Sequence, residues 1–127
     1  GIITFTRPLP SLKNSSSYVG DIASLSQRLS GYEVRGFRFT LLIDFSPDFA
    51  KMRGNAFLHS LVSRFSMKFI AEGQDFRCGY KGACGKKEME ACAKDLDFQT
   101  AFHSAVLHNG ERISSSGIRQ KIFGYGF

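Results

Sequence analysis

The sequence has no tryptophan, and it is sparing with proline, cysteine and histidine, at three residues each in 127. Three cysteines, at 78, 84 and 92, are too few and too odd in number for a secreted disulfide framework. With His59, His103 and His108 they also lack the paired spacing of a zinc site, so no metal is expected. No apolar run approaches the roughly 20 residues needed to cross a bilayer. No charged-then-apolar leader opens the chain, and Gly1 suits either a mature protein without its initiator Met or the scar of a tag. P-loop, nucleophile-elbow and H-E-x-x-H patterns are absent, so no cofactor and no enzymatic role is expected. Repeats and low-complexity segments are absent too. These gaps leave a single domain over 1–127, large enough to bury a core.

What is present is phenylalanine and positive charge. Thirteen Phe contribute to a hydrophobic fraction of 43%, and seventeen Lys and Arg against eleven Asp and Glu give a net charge of +6. A basic surface favours polyanions through phosphate neutralisation and counterion release.

Two segments organise the reading. In 37–45, Phe37, Phe39, Leu41, Ile43 and Phe45 alternate with Arg38, Thr40, Leu42 and Asp44. In 62–72, Phe65, Met67 and Phe69 alternate with Arg64, Ser66, Lys68 and Ile70. Period-two alternation predicts two half-buried strands. Their polar faces carry Arg38, Thr40, Arg64, Ser66 and Lys68, cations and hydroxyls suited to phosphates and bases, and are the expected RNA-binding surface. Glu33, Arg35 and Lys87 are weaker candidates for that face, and Tyr32 and Tyr80 are candidates for base stacking.

Along the chain, 2–7 reads as a short strand ended by Pro8 and Pro10. A polar turn at 13–17 and a strand at 18–24 would complete an N-terminal hairpin within 1–30, and 32–45 reads as a long strand with a kink or bulge at Gly36. Ser46-Pro47-Asp48 is a turn, opening a long connection to residue 61. From 73 to 86 the chain is a loop rich in Gly and Cys. Residues 86–94 have the composition of a helix and the alternation of a strand, and either fits. Asp95 or Asp97 is a plausible cap for a helix over 98–108, built on Phe98, Phe102, Ala105 and Val106 and stopped by Asn109-Gly110. A second short helix over 114–123 takes Ser114, Ser115 or Ser116 as its cap. The expected class is α+β, with a sheet over 31–94 and helices over 95–127.

This order of elements resembles the coat proteins of single-stranded RNA bacteriophages, the levivirus type. The resemblance rests most on Asp97-Phe98-Gln99-Thr100-Ala101-Phe102, the Leu107-His108-Asn109-Gly110 stop and Ile113-Ser114-Ser115-Ser116-Gly117-Ile118. It implies an N-terminal β-hairpin, an antiparallel five-stranded sheet and two C-terminal helices that pack across a dimer partner. It further implies a homodimer that assembles into an icosahedral capsid in the bacterial host cytoplasm and ends in the virion. The inner sheet face would bind genomic RNA, including a hairpin through which translation is repressed. In such a shell Cys78 and Cys84 could form intersubunit disulfides. Free thiols, or a bridge within the loop, are the other readings of the same pair. A non-capsid RNA-binding regulator is the first alternative function, and a small enzyme with an unrecognised site is the second.

Overall fold

The computed structural model describes residues 1–7 and 20–124. The prolines at 8 and 10, the turn at 13–17, Tyr18, Val19 and the last three residues lie outside that range. The described residues fall into two compact units, one made of 1–46 with 113–127 and the other of 47–112.

In the first unit, β1 (Ile2–Phe5) runs parallel to β2 (Thr40–Ile43), with Ile2 opposite Thr40 and Phe5 opposite Ile43. Parallel neighbours need a crossover, and α1 (Leu25–Val34) supplies it. A reciprocal box starts α1: the Gln27 N–H donates to Ser24 Oγ at 3.1 Å, and the Ser24 N–H donates to Gln27 Oε1 at 2.8 Å. Its end is a Schellman turn on Gly36, whose φ of 85° is open to glycine. There Gly36 N–H donates to the Glu33 carbonyl and Phe37 N–H to that of Tyr32. The Tyr32 and Phe37 rings meet edge to face, 6.2 Å apart. The unit closes with α5 (Ser115–Phe123), where Ser114 caps by accepting the Gly117 N–H at 3.1 Å.

The second unit holds the short α2 (Pro47–Ala50), then α3 (Gly54–Phe65), β3 (Phe69–Gly73), α4 (Lys86–Leu96) and β4 (Gln99–His103). Strands β3 and β4 are again parallel, Phe69 opposite Gln99, with α4 in the crossover. Leu58 and Leu61 of α3, Met89 and Ala93 of α4, Ile70 of β3 and Phe98 are buried together with Cys84 and form the core. Ser66 and Asp97, at φ of 53° and 56°, end α3 and α4 in left-handed turns. A hairpin of β5 (Leu107–His108) and β6 (Glu111–Arg112) follows. Its two-residue turn, Asn109 at φ 50° and Gly110 at φ 79°, has the left-handed pair that type I′ hairpins require.

Among the described residues this is an α/β arrangement of two parallel strand pairs and one antiparallel hairpin, and it corrects the expected five-stranded antiparallel sheet. The N-terminal hairpin is replaced by the parallel β1–β2 pair, and residues 25–34 are helical. The segment 37–45 contributes only Thr40–Ile43 as strand, because Phe37 belongs to the close of α1. The segment 62–72 is divided by Ser66 between the end of α3 and β3, so its alternation spans two elements. The helical spacing in α3 (Phe57, Leu58, Leu61, Val62, Phe65) begins inside what was read as a connection. The expected helix over 98–108 is β4 and β5, and Asn109-Gly110 turns a hairpin instead of stopping a helix. Gly36 is a helix terminus and not a bulge, and Asp97 follows α4 instead of capping a helix start. The short helix after Ser114 and the short strand at the start of the chain are found as expected.

Candidate functional site

A cavity of about 810 Å³ lies within the first unit. One wall is a single face of α1: Gln27, Arg28, Gly31, Tyr32 and Arg35 recur at one helical face's spacing. Ser115, Ile118 and Arg119 of α5 form another wall at i, i+3, i+4, and Thr4 and Phe5 of β1 close it.

Arg28 holds the cavity to the carboxyl end of β1. Its Nη1 donates to Thr4 Oγ1 at 2.7 Å and to the Phe5 carbonyl at 3.1 Å, and its Nη2 to the Phe5 carbonyl at 3.1 Å. The Nε–H is buried and has no acceptor among the described residues. The same strand end is tied to β2 by the Thr6 hydroxyl, which donates to Asp44 Oδ1 at 3.0 Å. Arg35 Nη1 bonds the Gly31 carbonyl at 2.9 Å, and a Cβ at Gly31 would stand 3.2 Å from that nitrogen. Arg119 Nε donates to the Gly20 carbonyl at 3.1 Å.

Three arginines therefore line the cavity against one carboxylate, Asp21. Ser115 places the first turn of α5 there, so the positive end of a helix adds to the field. The carboxyl ends of parallel strands are where open α/β folds accept ligands. The chemistry offered is multidentate recognition of an anion beside an aromatic ring, Tyr32.

The residues expected to share one RNA-binding face are dispersed among different elements. Arg38 is exposed in the link after α1 and Thr40 opens β2, both in the first unit. Arg64 rides the last turn of α3, Ser66 is its left-handed cap, and Lys68 precedes β3 in the second unit. Arg35 and Tyr32, weak candidates in the sequence, line the cavity; Glu33 and Lys87 do not. Tyr80 lies in a 3-10 turn, with the Lys81 ammonium 5.3 Å from its ring centroid. Cys78 and Cys84 face each other within one chain as a single antiparallel bridge. Among the described residues no group of three His, Cys, Asp or Glu is placed to hold a metal. No described helix is long and apolar enough to cross a membrane.

Thr4, Arg28, Ser115 and Arg119 line the cavity without having stood out in the sequence as site residues. Two signals were available: the i, i+1, i+4, i+5, i+8 series from Gln27 to Arg35, and Arg119 one turn after Ser115.

Comparison with known proteins bears on what this cavity serves. The family model described as FAD synthetase matches residues 1–117. A solved structure, that of a macrolide-efflux protein from Streptococcus pneumoniae, superposes with a TM-score of 0.76 over 95% of this chain at 21% identity. This chain covers 40% of that one's length. No curated protein matches. These findings overturn the coat-protein resemblance, and with it the capsid, the hairpin RNA partner and the virion setting; the RNA-binding regulator gains no support either. A family named for a synthetase also overturns the expectation of a protein without enzymatic function. With its model matched along nearly the whole chain, the protein belongs to the FAD synthetase family.

Proposed function

We propose that this chain is a nucleotide-handling part of an enzyme that transfers an adenylyl group from ATP to flavin mononucleotide. The observation that carries the reading is the arginine-lined cavity at the carboxyl end of β1, beside the first turn of α5. In this reaction an oxygen of the flavin's phosphate attacks the α-phosphorus of ATP. The bond from that phosphorus to the bridging oxygen breaks, and pyrophosphate leaves. Charge builds on the departing oxygen, and fixed guanidinium groups stabilise it without reorganisation. Arg119 and the α5 terminus act on the phosphates. Arg28, held to the strand by three contacts, shapes the floor and contributes its field.

The test is a calorimetric titration of the chain with ATP and, separately, with pyrophosphate. Both should bind, and Arg119→Gln should weaken both about tenfold or more, the loss expected for one charge-assisted pair. Unchanged affinity in the variant, or no affinity for either ligand in the wild type, overturns the reading.

A further inference from the structure

We propose that Cys78 and Cys84 are a dithiol that closes into an intrachain disulfide, clasping the turn between them against the start of α3. The backbone already holds the pair as a bond would. Cys78 N–H donates to the Cys84 carbonyl at 2.9 Å and Cys84 N–H to that of Cys78 at 3.0 Å. Directly opposed residues of such a pair sit with Cα atoms about 5.5 Å apart, inside the range that a disulfide spans. Directly opposed side chains of such a bridge leave the same face.

Both sulfurs rest on Gly54, the first residue of α3. A Cβ there would collide with Cys84 and stand 3.4 Å from Cys78 Sγ. The intervening turn is pre-shaped by Gly79, Lys81 and Gly82, at φ of 78°, 56° and 63°. Tyr80 N–H anchors it to the Met52 carbonyl at 2.9 Å, and Arg77 Nη1 to the Gly82 carbonyl at 3.1 Å. Closure therefore asks for no rearrangement of the chain. Cys78 is half-buried and meets solvent first, whereas Cys84 is 5% exposed and attacks from inside.

The oxidant is a low-molecular-weight disulfide such as oxidised glutathione. Cys78, once deprotonated, attacks one of its sulfurs and a glutathione thiolate leaves. Deprotonated Cys84 then attacks Cys78 Sγ and expels the second glutathione thiolate. Two protein thiols are oxidised, one external disulfide is reduced, and the two protons end on the two glutathione thiols. Burial first, then Cys84, pushes the Cys78 thiol up to about 12. The exchange is therefore slow at neutral pH and quickens about tenfold per pH unit, in proportion to thiolate. Cys92, also half-buried, is the internal competitor.

The experiment incubates the full chain with the oxidised and reduced glutathione pair near pH 9 and maps its peptides by mass spectrometry. The expected product is a monomer lighter by two hydrogens, with one link between Cys78 and Cys84. Cys92→Ser should form the same link. Cys84→Ser should instead retain glutathione on Cys78. A link to Cys92, a covalent dimer, glutathione held on both Cys78 and Cys84, or unreacted thiols in the wild type would each overturn the proposal.

Discussion

Arg28 Nη1 stands 2.7 Å from Thr4 Oγ1, and that bond joins the wall of the candidate cavity to its floor. Thr4 is 8% exposed, so its hydroxyl depends on this partner. Arg28→Met keeps the aliphatic bulk and removes every donor. Charge-assisted bonds to partly buried groups predict a loss of about 2 kcal/mol in urea unfolding, with weaker ATP binding. A variant with wild-type stability would show that the guanidinium does not secure β1.

The second unit depends on a small core between α3 and α4. Leu58 and Met89 have no exposed surface. Leu58→Ala should cost about 3 kcal/mol through lost burial and the cavity left behind. Phe69→Ala, at a residue 56% exposed, should cost far less. Equal losses in the two variants would place the core elsewhere.

Two glycines give a paired prediction. At Gly54 an added Cβ meets Cys84, whereas at Gly73 nothing lies within 4 Å. Gly54→Ala should destabilise by about 2 kcal/mol, because the packed thiols cannot give way. Gly73→Ala should fall within about 0.5 kcal/mol of wild type. Chemical denaturation of both variants decides the matter, and the reverse order would refute the close contact of α3 with the thiol-bearing turn.

Two glutamates of the second unit should respond to pH in opposite senses. Glu88 is held below its usual 4.5 by hydrogen bonds from its own backbone N–H and that of Gly85. A lowered carboxylate stabilises the fold above its unfolded pKa, and that contribution disappears as pH falls through the folded value. Burial raises Glu72 from 4.5, so its favourable contribution is present below that value and is lost as pH rises through the folded one. Unfolding curves across the acid range should show Glu88→Gln removing part of the acid-side decline. Glu72→Gln should remove part of the opposing trend. The same slope in all three proteins would contradict both assignments.

Local chemistry was legible wherever a signal and its partner lie within one turn of chain. The strand at Ile2 and the helix after Ser114 are of this kind, whereas at 86–94 composition and alternation point to different elements and the chain forms a helix in place of the last part of the expected sheet. What could not be read is pairing at long range. Thr6 meets Asp44 across 38 residues, and Phe69 meets Gln99 with a whole helix between them. Alternation around 65–69 misled because Phe65 ends a helix and Phe69 starts a strand, with left-handed Ser66 breaking the period. Helical spacing over Phe98, Phe102 and Val106 misled because a parallel partner, β3, overrides propensity. The candidate cavity was not legible. Tyr32 and Arg35 drew notice only for an RNA face, and Arg28 and Arg119 gain meaning only once helices bring them to β1 and Gly20.

The most direct test of the account is where ATP acts on the chain. In a proton–nitrogen correlation spectrum titrated with ATP, amides of Thr4, Phe5, Arg28, Tyr32, Ser115 and Arg119 should shift together along one saturable curve. The core of the second unit, at Leu58 and Met89, should stay in place. Shifts confined to the second unit, or shifts without saturation, would contradict the claim that the arginine-lined cavity is the nucleotide site.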